Sequence, residues 1–189
     1  NKIDSKLFDL QYSKSKDNLG GTISRIKSTF KYKLGYYDSR KILLDIYKNL
    51  FSSEYKNMLS TIHLTESQIR EMLEMGHYVG THTYSHISVA ATELNSDDFI
   101  KEIISPKNYL EQKFNTKVNS FSYPFGGKND CLSSSELIKK TSEYNLAFTV
   151  EEILNTRNTS PYQLGRYQIN SSDTSFKLNS IIQNISKKN

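Results

Sequence analysis

From residue 60 onward, short apolar runs alternate with stretches in which apolar side chains recur every three or four positions. That alternation is the pattern of strands interleaved with amphipathic helices. Ile69, Met72 and Leu73 fall at i, i+3 and i+4 behind Thr65 and Gln68, which have the spacing of a capping box, and Gly76 closes the run. A helix over about 66–75 is therefore predicted. His77, Tyr78 and Val79 then form a short strand-like run that breaks at Gly80. A second helix is predicted behind Ser96, with Asp97 and Asp98 in its first turn and Phe99, Ile103, Leu110 and Phe114 along one face. Pro106 inside it predicts a kink. Val118 to Tyr123 reads as a buried strand ending at Pro124 and the Gly126–Gly127 pair. Ser133 and Glu136 then offer another capping box ahead of Leu137, Ile138 and Thr141. Leu146 to Val150 and Arg166 to Ile169 read as further strands, and a last helix from about Asp173 carries Phe176, Ile181 and Ile185.

Strands alternating with helices in this way indicate an α/β fold with a parallel sheet. The first 60 residues differ. Helical patterns at about 22–33 and 39–50 come without a clear strand between them, and Leu19, Gly20 and Gly21 read as a turn. Residues 1–59 are thus expected to be a helical insertion or subdomain, and residues 60–189 the βα domain.

Composition narrows the picture without redirecting it. The chain has 189 residues, 36% of them hydrophobic, with 13 Tyr and 9 Phe against 8 Gly and 3 Pro, which suits one compact domain rather than a disordered or collagen-like chain. Cys131 is the only cysteine, so an internal disulfide and a cysteine-rich zinc module are both excluded. No apolar run approaches the roughly 18 residues of a membrane span, and residues 1–25 lack the apolar stretch of a secretory signal. A chain with no membrane span and no address is expected. The net charge of +5 comes mostly from scattered Lys, densest at Lys31, Lys33, Lys187 and Lys188. Such scattering is an ordinary solvated surface first, and only secondarily a site for an anionic polymer; no nucleic-acid partner is expected.

All four histidines, His63, His77, His82 and His86, lie within 24 positions, and none follows. His82 and His86 stand four apart, directly after the run at 77–79; on a helical turn both imidazoles would share a face and could reach one ion. Two surface or capping histidines are the plain alternative. The carboxyl end of a strand is where parallel βα architectures place their sites, which favours the metal. His77 and His63 are expected to be packed or hydrogen-bonded rather than ligands. Phe121-Ser-Tyr-Pro-Phe-Gly-Gly127 follows another strand and should open onto the same rim. Its backbone can turn an N–H toward a developing oxyanion, or can simply be a turn.

In this order, and about 37 residues apart, the two segments resemble motifs two and three of the NodB-like polysaccharide deacetylases, carbohydrate esterases of family 4 type. His82, Thr83 and His86 match the pattern His-[Ser/Thr]-x-x-His. Gly76, His77, Gly80 and Thr81 match its lead-in, and Phe121, Tyr123, Pro124, Phe125 and Gly126 match the aromatic-Pro-aromatic-Gly segment. The likeness covers roughly residues 60–170. It implies a distorted (β/α) barrel and a divalent metal held by His82 and His86, with zinc first and cobalt, nickel or iron also suited to the donors. It further implies an oxyanion donor in the N–H of Phe125, and Tyr123, Pro124 and Tyr84 near the substrate. The implied activity is that of a hydrolase of carbon–nitrogen bonds other than peptide bonds, removing N- or O-acetyl groups from an acetylated glycan or amino sugar.

Parts of the family pattern are not found. Asp97-Asp98 is the only Asp pair and follows rather than precedes the histidines; Asp9 is not assigned; no His follows His86; and no Arg stands beside Tyr123 in the segment Phe121-Ser122. The expectation is that the first strand and its Asp pair lie upstream of Asn1, so that the chain lacks the amino-terminal strand of the barrel. The competing reading is a non-catalytic carbohydrate-binding or assembly module on a degenerate deacetylase fold. A basic surface for an anionic polymer is a third, which predicts strong salt dependence and no need for His82 or His86.

Overall fold

A computed structural model describes residues 19–51, 62–171 and 174–186. The boundary expected near residue 60, Asp9, Asp173 and the terminal Lys187 and Lys188 lie outside the described residues. Helix α1 (Leu19–Ser28) runs into a π-helical turn (Thr29–Lys33) and is followed by α2 (Tyr36–Phe51). The Leu19–Gly21 turn is not formed: Gly20 and Gly21 lie in the first turn of α1. Ile23 and Ile26 continue a helical spacing from Leu19, and a glycine costs a helix only about 1 kcal/mol, so the pattern carries the helix through them.

Helix α3 (Glu66–Glu74) forms as its capping residues dictate: the Thr65 side chain accepts from the Gln68 N–H and the Gln68 side chain accepts from the Thr65 N–H. Gly76 closes it with φ +88°, and the N–H of His77 donates to the Met72 carbonyl at 3.0 Å. A long helical path follows: α4 (Ser96–Phe99), a π-helical segment (Ile100–Ile104) and α5 (Ser105–Phe114). Asn95, one residue earlier than expected, caps it by accepting from the Asp98 N–H at 2.9 Å. Pro106 does not interrupt a helix. The wider π turn comes first, and the proline falls in the first turn of α5, where its missing N–H has least to bond to.

Strands β1 (Ser120–Ser122) and β2 (Leu146–Phe148) pair in parallel, Phe121 opposite Ala147, with α6 (Lys128–Thr141) as the crossover between them. Single parallel bridges extend the pair on both edges, Thr81 to Phe121 and Phe148 to Leu164. The strands expected at His77–Val79 and Arg166–Ile169 are therefore corrected: neither forms, and pairing falls at Thr81 and Leu164 instead. The N–H of His77 is drawn back to cap α3, which delays the edge contact by four residues.

Helix α6 begins at Lys128, not behind Ser133. Ser134 and Ser135 bond back to the carbonyls of Asp130 and Leu132, so the serines are accommodated inside the helix rather than starting it. Its first turn is held from outside by Glu151, whose carboxylate accepts from the Lys128 N–H at 2.8 Å. Helix α7 (Ser175–Ser186) ends the described chain.

The core gathers on the sheet and on the apolar face of α4–α5: Ile103, Val118, Phe121, Tyr123, Cys131, Ile138, Tyr144 and Ala147 are buried, with Phe99 and Leu110 packed against them. The Phe121 ring meets those of Tyr123 and Tyr144 at centroid distances of 5.2 and 5.4 Å. Tyr144 ties the layers together, its hydroxyl donating to the Ile103 carbonyl at 2.6 Å and accepting from Thr81 at 2.9 Å. The π-helical turn after α1 and helix α2 join this body through Lys31 on Asp130 (2.8 Å) and Tyr36 on Glu102 (2.8 Å). No helix among the described residues is long and apolar enough to cross a membrane.

Candidate active site

The edge bridge at Thr81 delivers the next residue, His82, to the end of β1. The N–H of Thr81 donates to the Ser120 carbonyl and its own carbonyl accepts from Ser122. Gly80 lets the chain come this close: a Cβ there would lie 2.5 Å from Ser120 Oγ and 2.9 Å from its carbonyl oxygen. The expected helical turn between His82 and His86 is not formed. Residues 82–88 are irregular, and Thr83 (φ +59°) and His86 (φ +57°) take left-handed conformations instead. Those two turns bring the imidazoles together, ring centroids 4.8 Å apart and planes at 75°.

His82 Nδ1 lies 2.7 Å from the carbonyl oxygen of Ser122. A carbonyl only accepts, so in the neutral ring Nδ1 carries the proton and Nε2 is left with a free lone pair. Partial burial lowers the pKa of this imidazole below its ordinary value of 6.5; the Ser122 bond opposes the shift, while the charges of His86 and Arg166 add to it. A neutral His82 is what a metal would require. His63 and His77, expected to be packed or hydrogen-bonded rather than ligands, are both exposed, so neither is packed.

The segment after β1 forms the opposite wall. Tyr123 and Pro124 are buried, and the Tyr123 hydroxyl donates to the Tyr162 carbonyl at 2.9 Å. Phe125 (φ +66°) and Gly126 (φ +65°) then turn the chain through two left-handed residues. The Phe125 ring stands 4.9 Å from that of His86, with Lys31 Nζ 4.3 Å from its centroid. Among the described residues the N–H of Phe125 has no hydrogen-bond partner, so it is free to donate to a ligand.

His82, His86, Tyr123, Phe125, Val150 and Arg166 line one open cavity of about 530 Å³. Both expected ligands, the expected oxyanion donor and Tyr123 are thus brought together. Tyr84 does not line this cavity; it is exposed, with the Arg40 guanidinium 5.5 Å from its ring centroid. Arg166 is the residue that sequence reasoning missed. It enters from beside the Leu164 bridge, its Nε donating to the Thr149 carbonyl at 2.6 Å. A lone arginine after a Leu-Gly dipeptide carries no spacing that would mark it.

His82 and His86 fit two positions of a metal site by donor chemistry, ring proximity and the fixed tautomer of His82. Among the described residues no group of three or more His, Cys, Asp or Glu is placed to hold an ion, and the two imidazoles are the donors seen here. The hydroxyl of Thr83, between the histidines, is buried with no hydrogen-bond partner among the described residues.

The family profile described as polysaccharide deacetylase matches residues 45–145, more than half of the chain and the whole stretch from His82 to Phe125. This chain belongs to the polysaccharide deacetylase family. Among solved structures, it is similar to BC0361, a polysaccharide deacetylase from Bacillus cereus, at 24% identity and a TM-score of 0.53, covering 63% of this chain and 36% of that one. BA0330 from Bacillus anthracis gives the same values. The Streptococcus pyogenes deacetylase PplD, solved in complex with acetate, is similar at 23% identity and a TM-score of 0.54, covering 66% of this chain and 53% of that one. At these identities the likeness is one of fold, and the chain spans well under two thirds of each deacetylase. Among curated proteins none matches the chain.

Proposed function

We propose that this chain carries the histidine and oxyanion-facing walls of a hydrolase that removes N- or O-acetyl groups from a polysaccharide or amino sugar. The observation that carries the reading is that His82, His86 and Phe125 line one cavity, with the two imidazoles in ring contact and the N–H of Phe125 without a hydrogen-bond partner among the described residues. In the reaction, water adds to the acetyl carbonyl, the bond to nitrogen or oxygen breaks, and acetate leaves with the freed amine or hydroxyl. His82 and His86 would hold a divalent ion, zinc first among those suited to imidazole, which when bound acidifies water and polarises the carbonyl. The Phe125 N–H would donate to the carbonyl oxygen as negative charge develops on it. Burial keeps His82 neutral and available at neutral pH, and Arg166 adds a fixed positive charge beside it. Tyr123 would lie beside the acetyl group; Pro124, which is buried and does not line the cavity, would act only by shaping the turn, and Tyr84 would meet the glycan outside the cavity. The reading extends to the fold: the four parallel segments from Thr81 to Leu164 would be part of a distorted β/α barrel, which their common direction supports.

Titration with zinc or cobalt, followed by acetate release from N-acetylglucosamine oligomers, peptidoglycan and acetylated xylan, tests the reading. Stoichiometric binding that disappears in His82→Ala and in His86→Ala is the expected result, with acetate release expected from a protein that also supplies the Asp pair, since this chain is expected to be inactive alone. A folded protein that neither binds metal nor releases acetate would overturn it and favour a carbohydrate-binding module.

A further inference from the structure

Glu102 lies in the π-helical segment ahead of α5 and is fully buried, at 0% exposure. A carboxylate in that position must have its oxygens satisfied, and its partners come from two directions. From the amino-terminal helix α2, Tyr36 donates its hydroxyl at 2.8 Å and Arg40 its guanidinium at 3.2 Å. From the loop between the histidines, Ser85 donates both its backbone N–H (2.9 Å) and its hydroxyl (2.6 Å). The next amide along the loop, that of Tyr84, donates to the backbone carbonyl of Glu102 at 3.0 Å.

Two consecutive loop amides are therefore fixed on one residue, and they lie between the two left-handed positions, Thr83 and His86. Neither residue favours that conformation, and the Thr83 hydroxyl is buried without a partner among the described residues, so the loop does not hold its own shape. We infer that Glu102 is the positioning residue that holds the His82–His86 loop, and that through Tyr36 and Arg40 it makes the spacing of the imidazoles depend on α2. The inference deepens the functional reading above, on which its metal-binding consequence rests. It gives the amino-terminal helices a role in the site, although they contribute no ligand.

Two measurements on Glu102→Gln test it, since Gln keeps the volume but has one acceptor oxygen in place of two and turns a donor toward Ser85 or Arg40. In the metal-free protein, amide hydrogen exchange at Ser85 should quicken by tenfold or more, while the bridge amides of Thr81 and Ser122 keep their protection. Cobalt affinity should fall roughly tenfold, as it does when an outer-shell partner of a ligand is lost. Ser85→Ala, which leaves the carboxylate and α2 intact, should give a smaller change in the same direction, and it stands in if Glu102→Gln does not fold. Unchanged Ser85 exchange in Glu102→Gln, or unchanged Tyr84 exchange in Ser85→Ala where Glu102→Gln does not fold, overturns the inference whatever happens to stability. If the wild-type chain binds no cobalt, the functional reading falls, and the exchange measurement still decides the role of Glu102.

Discussion

His82 Nδ1 stands 2.7 Å from the carbonyl oxygen of Ser122, so the first histidine of the pair is oriented by the last residue of β1. Two segments 40 residues apart in the chain thereby become one site. The bond also fixes which ring nitrogen faces the cavity, a property that neither segment has alone.

The charge of Arg166 should be visible in the titration of His82. Burial is the largest cause of that ring's lowered pKa, with His86 and Arg166 contributing further in the same direction. Arg166→Gln should therefore raise the His82 pKa, measured by NMR titration of the imidazole protons, but leave it below 6.5, because burial remains. The sign for stability follows. With a folded-state pKa below the unfolded value, the contribution of His82 is fully present above about pH 6.5 and is lost as pH falls through the folded pKa. In Arg166→Gln that loss should begin at the same pH, which the unfolded chain sets, be complete at a higher pH and be smaller. An unmoved His82 titration would mean that the guanidinium is too well solvated to act on the ring.

What the sequence made legible was what local chemistry decides. The Thr65–Gln68 capping box and Gly76 bound a helix by their own hydrogen bonds and backbone freedom, and α3 forms where they place it. The His82–His86 pair and the Phe125 turn could be marked because each is a compact motif at a strand end. The edge strands could not. Whether Tyr78 or Thr81 pairs with Phe121 depends on where His77 spends its N–H, and that is settled by the end of α3. The start of α6 was displaced for a similar reason: Glu151, more than 20 residues later, supplies the acceptor at its first turn. Arg166 and Glu102 belong to the site only through tertiary contacts, and no spacing reports those.

Cys131 predicts a specific alkaline weakness. Its thiol is 2% exposed, donates to the Gly126 carbonyl at 3.3 Å, and is pushed up to about 12, chiefly by burial and secondarily by the charges of Asp130 and Glu151. A raised folded-state pKa means that its contribution is complete below the unfolded value near 9 and is lost as pH climbs toward 12. Urea midpoints measured between pH 8 and 10.5 should fall, and Cys131→Ala should flatten the part of the fall that starts near pH 9. Iodoacetamide at pH 8 should leave the native thiol unmodified and label it promptly after unfolding. Rapid labelling of the folded protein would contradict the burial.

Gly126 and Gly20 make opposite predictions for the same substitution. At Gly126, φ is +65° and an added Cβ would lie 2.7 Å from Val150 Cγ1 and 3.0 Å from the Val150 nitrogen, whose N–H donates to the Gly126 carbonyl. An alanine must either hold a left-handed conformation against a packed neighbour or rotate the turn that presents the Phe125 N–H. Gly126→Ala should cost about 1–3 kcal/mol in urea unfolding and should reduce acetate release, where it is measurable, by more than it reduces metal affinity, because His82 and His86 lie on the other wall. Gly20 lies in the first turn of α1 with nothing within 4 Å of an added Cβ, so Gly20→Ala should stabilise by up to about 1 kcal/mol through the entropy of the unfolded chain. A neutral Gly126→Ala would show that the Pro124–Gly127 turn has room to relax, and the oxyanion geometry assigned to Phe125 would then no longer be fixed by the backbone.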